Sequence, residues 1–145
     1  MIARAWKFED LKKIAALEEV CFPTDAWNLQ MLADSFLSDR FYGVLLEEDG
    51  EITAYGGLSF LFDEGEIPLI ATAENYRRAG RGDRILTLLT EEAASRGVKT
   101  LFLEVRASNV PAQMLYQKHG FCFLSVRRKY YKDGEDALVM KKVID

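Results

Sequence analysis

Histidine, cysteine and proline are scarce: the 145 residues contain one, two and three of them respectively. With His119 as the only histidine, a histidine-built metal site lacks its several convergent ligands, and no metal is expected. Cys21 and Cys122 have neither metal-ligand nor redox-pair spacing and read as reduced, buried, small apolar residues. Long apolar runs are missing too. No stretch approaches the roughly 20 residues that span a bilayer, and the opening MIARAWKFEDLKKI lacks the unbroken apolar core of a secretory signal. A cytoplasmic protein without a membrane partner is therefore expected. Nor is there an excess of basic charge, since 19 Lys and Arg stand against 23 Asp and Glu for a net charge of -4. That balance disfavours direct nucleic-acid binding and suits a basic partner. No repeat, low-complexity tract or linker interrupts the chain, and no pattern in it specifies an oligomeric state.

Hydrophobic residues make up 49% of the chain and charged residues 29%. That is enough to bury a core, and the length suits one domain over residues 1–145. Ile2 to Trp6 reads as a strand, followed by a helix through Leu11, Ile14 and Glu18 that Phe22 and Pro23 break. Asn28 is placed to cap a second helix through Met31, Leu32 and Phe36. Phe41 to Leu46 and Ile52 to Phe62 form a hairpin across Asp49-Gly50, with Gly56-Gly57 marking a close approach or a bulge. A fourth strand, Ile67 to Ala73, contains Pro68, which cannot donate to a ladder and predicts an unpaired side. A long amphipathic helix then runs to Gly97, and Thr100 to Val105 reads as a central strand. Ser108 or Asn109 caps a last helix closed by Gly120. Two strands, Phe121 to Tyr130 and Ala137 to Lys142, finish the chain across Asp133-Gly134. The order is β-α-α-β-β-β-α-β-α-β-β: an α/β fold with one mixed sheet and helices on both faces.

The segment Arg77-Arg78-Ala79-Gly80-Arg81-Gly82 lies between a strand and a helix. Glycines let several backbone N–H groups converge, and a helix N-terminus adds free donors, so the place suits an anion such as pyrophosphate. The three arginines add full charge. The pattern lacks the Lys-Ser/Thr ending of a P-loop, and Ile85 stands where a dinucleotide fingerprint has its third glycine. An ordinary Gly-rich turn with exposed arginines is the structural alternative.

The stretch IATAENYRRAGRG resembles the coenzyme A-binding signature of the Gcn5-related N-acetyltransferases, R/Q-x-x-G-x-G/A after the fourth strand, with Arg77, Gly80 and Gly82 at its fixed places. The resemblance implies acetyl-coenzyme A as co-substrate. Its pyrophosphate would rest on the loop from Arg77 through Arg78, Ala79, Gly80, Arg81 and Gly82 to Asp83. Its acetyl and pantetheine parts would lie along the backbone of Ile70, Ala71 and Thr72, with the fourth and fifth strands splayed to admit them. Asp83 departs from the family, which often has a neutral or basic residue there. An outward-facing side chain is expected, with at most a modest effect on cofactor binding.

Glu104 lies at the end of the strand read over Thr100 to Val105, Tyr116 lies on the following helix and Asn109 stands at that helix's start. Acetyl transfer to an amine needs a base for the ammonium proton and an acid for the departing thiolate. Each residue also has a plainer role: Glu104 as ion-pair partner of Arg106 or Arg127, Tyr116 as a core-edge aromatic, Asn109 as a helix cap. His119 reads as a surface residue. The cluster Arg127-Arg128-Lys129-Tyr130-Tyr131 is either an alternating strand with a basic solvated face or a place where Tyr130 or Tyr131 meets an acceptor peptide.

LEVRASN, LYQKHGF, the Arg127–Tyr131 run and Glu135-Asp136-Ala137-Leu138-Val139-Met140 together resemble the ribosomal-protein-alanine branch of the same family. Cys21-Phe22-Pro23 with Trp27 is similar to a further segment of that branch, though one residue longer. The resemblance implies Glu104 as general base, Tyr116 as general acid, Asn109 as a coenzyme A contact, and a protein N-terminus, that of a small-subunit ribosomal protein, as acceptor. An α-amine, with a pKa of about 7.7 to 8.0, is freer near neutrality than lysine at about 10.4, so a modest base suffices. A small-molecule amine or lysine as acceptor, and a non-catalytic coenzyme A-binding module, stay open as alternatives.

Overall fold

Alternation and 3.6-residue spacing of apolar side chains divide the chain as expected. The computed structural model describes residues 1–144. Its strands are β1 (Ile2–Ala5), β2 (Phe41–Glu48), β3 (Glu51–Leu61), β4 (Glu64–Thr72), β5 (Thr100–Arg106), β6 (Cys122–Arg127) and β7 (Ala137–Val143). Its helices are α1 (Leu11–Cys21), α2 (Leu29–Phe36), α3 (Arg81–Ser95) and α4 (Val110–Lys118), which gives the predicted order of elements. The sheet runs β1-β2-β3-β4-β5-β7-β6, so the last strand inserts beside β5 and leaves β6 at the edge.

One face of the sheet packs on α1 and α2 through Leu11, Ile14, Leu32, Leu45, Tyr55 and Leu69. The other packs on α3 and α4 through Leu58, Ile85, Leu89, Leu103, Tyr116 and Phe121. Full burial of such side chains is worth about 1.5–3 kcal/mol each. Asn28 caps α2, its Oδ1 accepting the Met31 amide at 2.9 Å. Gly56 is a close approach: a Cβ there would stand 2.7 Å from Ile85 Cγ2 and 2.9 Å from Leu89 Cδ1, so its absence lets α3 settle on β3.

The β3–β4 ladder also contains a bulge. Gly57 pairs with Leu69 and Ser59 with Glu66, so Ile67 and Pro68 together oppose Leu58 alone. The parallel β4–β5 ladder runs only from Glu64↔Thr100 to Glu66↔Phe102. Beyond Glu66 the two strands part, and Pro68 stands where they do.

Three expectations need correction. The terminal strand does not reach Tyr130: β6 stops at Arg127, and Lys129 takes a left-handed φ of 50°, which turns Tyr130 and Tyr131 out of the ladder. Cys122 is exposed rather than buried, because it opens the edge strand β6, whose residues are all exposed. The fourth strand begins at Glu64, since the hairpin turn is confined to Phe62 and Asp63.

Candidate active site

The parting of β4 from β5 opens a cleft whose β4 wall is main chain. Ala73 N donates to Thr53 O at 2.8 Å, so by antiparallel alternation Ala71 also turns its polar groups to β3, against Tyr55. Ile70 and Thr72 turn theirs toward the cleft. The Thr72 carbonyl accepts Arg77 Nε at 3.1 Å, which leaves the Ile70 and Thr72 amides as the donors on that wall. Pro68 shares their parity, so its missing N–H costs β3 no ladder bond.

At the end of β4 the chain enters α3 through a loop of unusual dihedrals. Arg78 has φ of 67° and Gly80 φ of 80°, and Gly80 is the helix N-cap with no side-chain cap. Among the described residues no protein group accepts from the amides of Arg81, Gly82 and Asp83. Three free donors at the positive end of a 15-residue helix are the kind of arrangement that suits an anion. The arginines divide the work differently from their sequence. Arg81 faces away and forks onto Glu48, with Nε to Oε2 at 2.7 Å and Nη2 to Oε1 at 2.8 Å, and its pull holds the Glu48 carboxyl at about 2. Arg77 reaches back to Thr72 and to Cys21 Sγ at 3.7 Å. Arg78 is exposed and, like Ala79, belongs to the open part of the loop.

Asp83 does not face outward. It accepts from His119 Nε2 at 2.8 Å and Lys118 Nζ at 3.0 Å, and these hydrogen bonds, His119's first, hold its carboxyl below the ordinary value. The side chain thus braces the start of α3 against the end of α4 and is directed to His119 and Lys118 rather than toward the free amides. His119 is accordingly a bracing residue. Asn109 caps α4, its Oδ1 accepting the Ala112 amide at 3.2 Å.

Glu104 lies on the β5 face shared with Phe102 and Arg106, opposite the buried Leu103 and Val105. Its Oε2 is buried without a hydrogen bond, although Arg127 Nε stands 3.1 Å away. The contact is therefore ionic and poorly aligned. Tyr131 and Tyr130 close over the same carboxylate. Burial, then the Glu104 charge, pushes the Tyr131 phenol up to about 12, and the same causes raise Tyr130. Tyr116 is buried on α4; its burial and then Tyr131 raise its phenol well above the ordinary range. Glu104, Tyr130 and Tyr131 thus gather at one end of the cleft, and the Tyr116 phenol responds to Tyr131.

Two groups take roles that the sequence reading did not give them. Glu18 is 2% exposed beneath the α1–α2 connection, accepting from Tyr55 Oη and, at 3.0 Å, from the Trp27 amide. Its place on the Leu11–Ile14 stripe of α1 was a signal, since a carboxylate there must be buried. Arg106 meets Asp25, Asp133 and Glu135, partners too far apart in sequence for any local pattern. Among the described residues no group of three or more His, Cys, Asp or Glu is arranged to hold a metal ion, and no helix is long and apolar enough to cross a membrane.

A sequence model of the acetyltransferase (GNAT) family matches residues 8–121. The ribosomal protein bS18-alanine N-acetyltransferase of Escherichia coli strain K12 is 34% identical over 143 residues, covering 90% of this chain and 96% of that protein. An N-alpha-acetyltransferase of Sulfurisphaera tokodaii is 38% identical over 112 residues, 65% of this chain and 64% of the relative. The crystal structure of the ribosomal-protein-S18-alanine N-acetyltransferase from Escherichia coli matches with a TM-score of 0.88 at 32% identity, covering 99% of this chain and 94% of that one. Sharing sequence and fold with these enzymes over most of its length, and carrying the splayed strands and the glycine loop, the chain belongs to the acetyltransferase (GNAT) family.

Proposed function

We propose that this chain, as one domain over residues 1–145, transfers the acetyl group of acetyl-coenzyme A to the α-amine at a protein N-terminus. The bS18-alanine enzymes it resembles make the N-terminal alanine of a ribosomal protein the expected acceptor. The observation that carries the reading is the buried, unbonded Glu104 Oε2 at one end of a cleft whose other end is a loop of free amides.

The residues fit the co-substrate. The free amides of Arg81, Gly82 and Asp83, with Arg78 beside them, suit a pyrophosphate, and Asn109, at the start of α4, is a further candidate contact to coenzyme A. The amides of Ile70 and Thr72 suit the pantetheine and acetyl groups, and donors on that wall would polarise the thioester carbonyl. Glu104 takes one proton from the ammonium and passes it to solvent, and the free amine nitrogen then bonds to the carbonyl carbon. Tyr116, kept protonated by its raised pKa, gives its proton to the sulfur as the carbon–sulfur bond breaks. The second proton, which the adduct's nitrogen sheds, restores the Tyr116 phenol spent on the sulfur. Transfer is direct. Cys21 is near the end of β4, but burial pushes its thiol up and leaves it a poor nucleophile. Tyr130 and Tyr131 line the acceptor side.

Thiol release and mass mapping with peptides test this. One peptide begins with a free alanine, and others are blocked there but carry lysine. Acetylation confined to the free α-amine is the expected result. Modification of lysine or of a small amine overturns the acceptor assignment, and coenzyme A binding without turnover overturns the catalytic one.

A further inference from the structure

Beyond the cleft, two stretches with no place in the ladder flank the Glu104 end of β5. One is the α1–α2 connection, carrying Thr24 and Asp25. The other is the β6–β7 connection, carrying Tyr131, Asp133 and Glu135. Among the described residues, every hydrogen bond or ion pair joining these two banks passes through one side chain, Arg106.

Arg106 stands two positions after Glu104 on the same face of β5. Its guanidinium donates through Nε to Asp25 at 3.1 Å and through Nη2 to Thr24 Oγ1 at 3.0 Å. Through Nη1 it donates to Asp133 at 2.9 Å and Glu135 at 2.8 Å. Its plane lies over the Tyr131 ring, 4.1 Å from the centroid. Glu135 returns its second oxygen to the Ser108 amide at 2.7 Å, which ties the cluster to the start of α4. A planar fork can serve both banks at once, and a lysine ammonium cannot reproduce that geometry.

We propose that Arg106 is a positioning residue for the acceptor, holding the two banks at a fixed separation so that a peptide threading between them presents its first nitrogen to Glu104. The inference rests on the reading that the acceptor is a polypeptide entering beside Glu104. Arg106 does not touch the reacting atoms. Its effect is on the residues that follow the first, and so grows with acceptor length.

Steady-state kinetics on alanine-initiated acceptors of two, four and eight residues test the clasp in the wild type, Arg106→Lys and Asp25→Ala. Asp25→Ala releases only one bank at a partly exposed position, so it reports even if Arg106→Lys folds poorly. In the wild type KM should fall as the peptide lengthens. In both variants that gain should shrink about tenfold or more, while acetyl-coenzyme A KM and dipeptide kcat stay within about twofold. Losses equal at every length, or a lower unfolding temperature with the length dependence intact, overturn the proposal, as does a wild type indifferent to length. If the wild type modifies lysine instead, the N-terminal reading falls by itself, and the same series built around lysine judges the clasp.

Discussion

Glu104 keeps a buried carboxylate oxygen free of hydrogen bonds while Arg127 faces it at 3.1 Å. The proposed base is held in place in that setting and still has a lone pair to use. Glu104→Gln should therefore lower kcat by about 10²- to 10⁴-fold with acetyl-coenzyme A KM unchanged, as measured by thiol release. Tyr116→Phe should lower kcat while the unfolding free energy moves by less than about 0.5 kcal/mol, because no protein hydrogen bond of its hydroxyl is lost. Chemical denaturation beside the kinetic assay checks both halves. Glu104, Tyr116 and Asn109 could be singled out in the sequence because each sits at a fixed offset within one short block. Arg127 was readable as a candidate ion-pair partner, but the approach of Tyr130 and Tyr131 to Glu104 was not, since a turn at Lys129 interrupts the run that periodicity extends as a strand.

Elements carry the next tier of function. The first turn of α3 offers its amides only because Gly80 takes φ of 80° as N-cap, in open space where a side chain meets no neighbour but strains the backbone. Gly80→Ala should cost about 1 kcal/mol in stability and raise acetyl-coenzyme A KM several-fold, leaving peptide KM as it was; titration with coenzyme A checks the split. The α1–α2 connection rests on Glu18, whose pKa burial raises. The folded protein then holds the proton more tightly than the unfolded chain, so stability falls as pH rises from the free glutamate value of about 4.3 through the raised folded value. Glu18→Gln removes that slope, and its stability relative to wild type should improve with rising pH in denaturant melts across this window. Existence and order of the elements were readable from spacing and turn residues. The arginine loop was readable as a cradle but not in its detail, because Glu48, which captures Arg81, lies on a strand that no local pattern links to it.

At the scale of the whole molecule, two cores share one sheet, and α3 is the principal cover of the second. Ile85 is fully buried against Gly56. Ile85→Ala should cost about 2–5 kcal/mol and lower the thermal midpoint accordingly, as seen by calorimetry. The placement of β7 between β5 and β6 had no counterpart in the sequence reading, since strand neighbours are chosen by side-chain fit over long separations and not by local propensity.

The extra residue in β4 acts as a change of phase. Before the bulge, Gly65 and Ile67 look toward α3; after it, Ile70 does, while Leu69 looks the other way. β5 keeps unbroken time, with Leu101, Leu103 and Val105 all on the α3 side. Two strands that count in step up to Glu66 and Phe102 are out of step soon after, and zipping them further would set Leu69 beside Val105 with their side chains on opposite faces. The cleft is thus written into the chain as an odd number, open from the moment the sheet forms and in no need of a ligand to pry it apart.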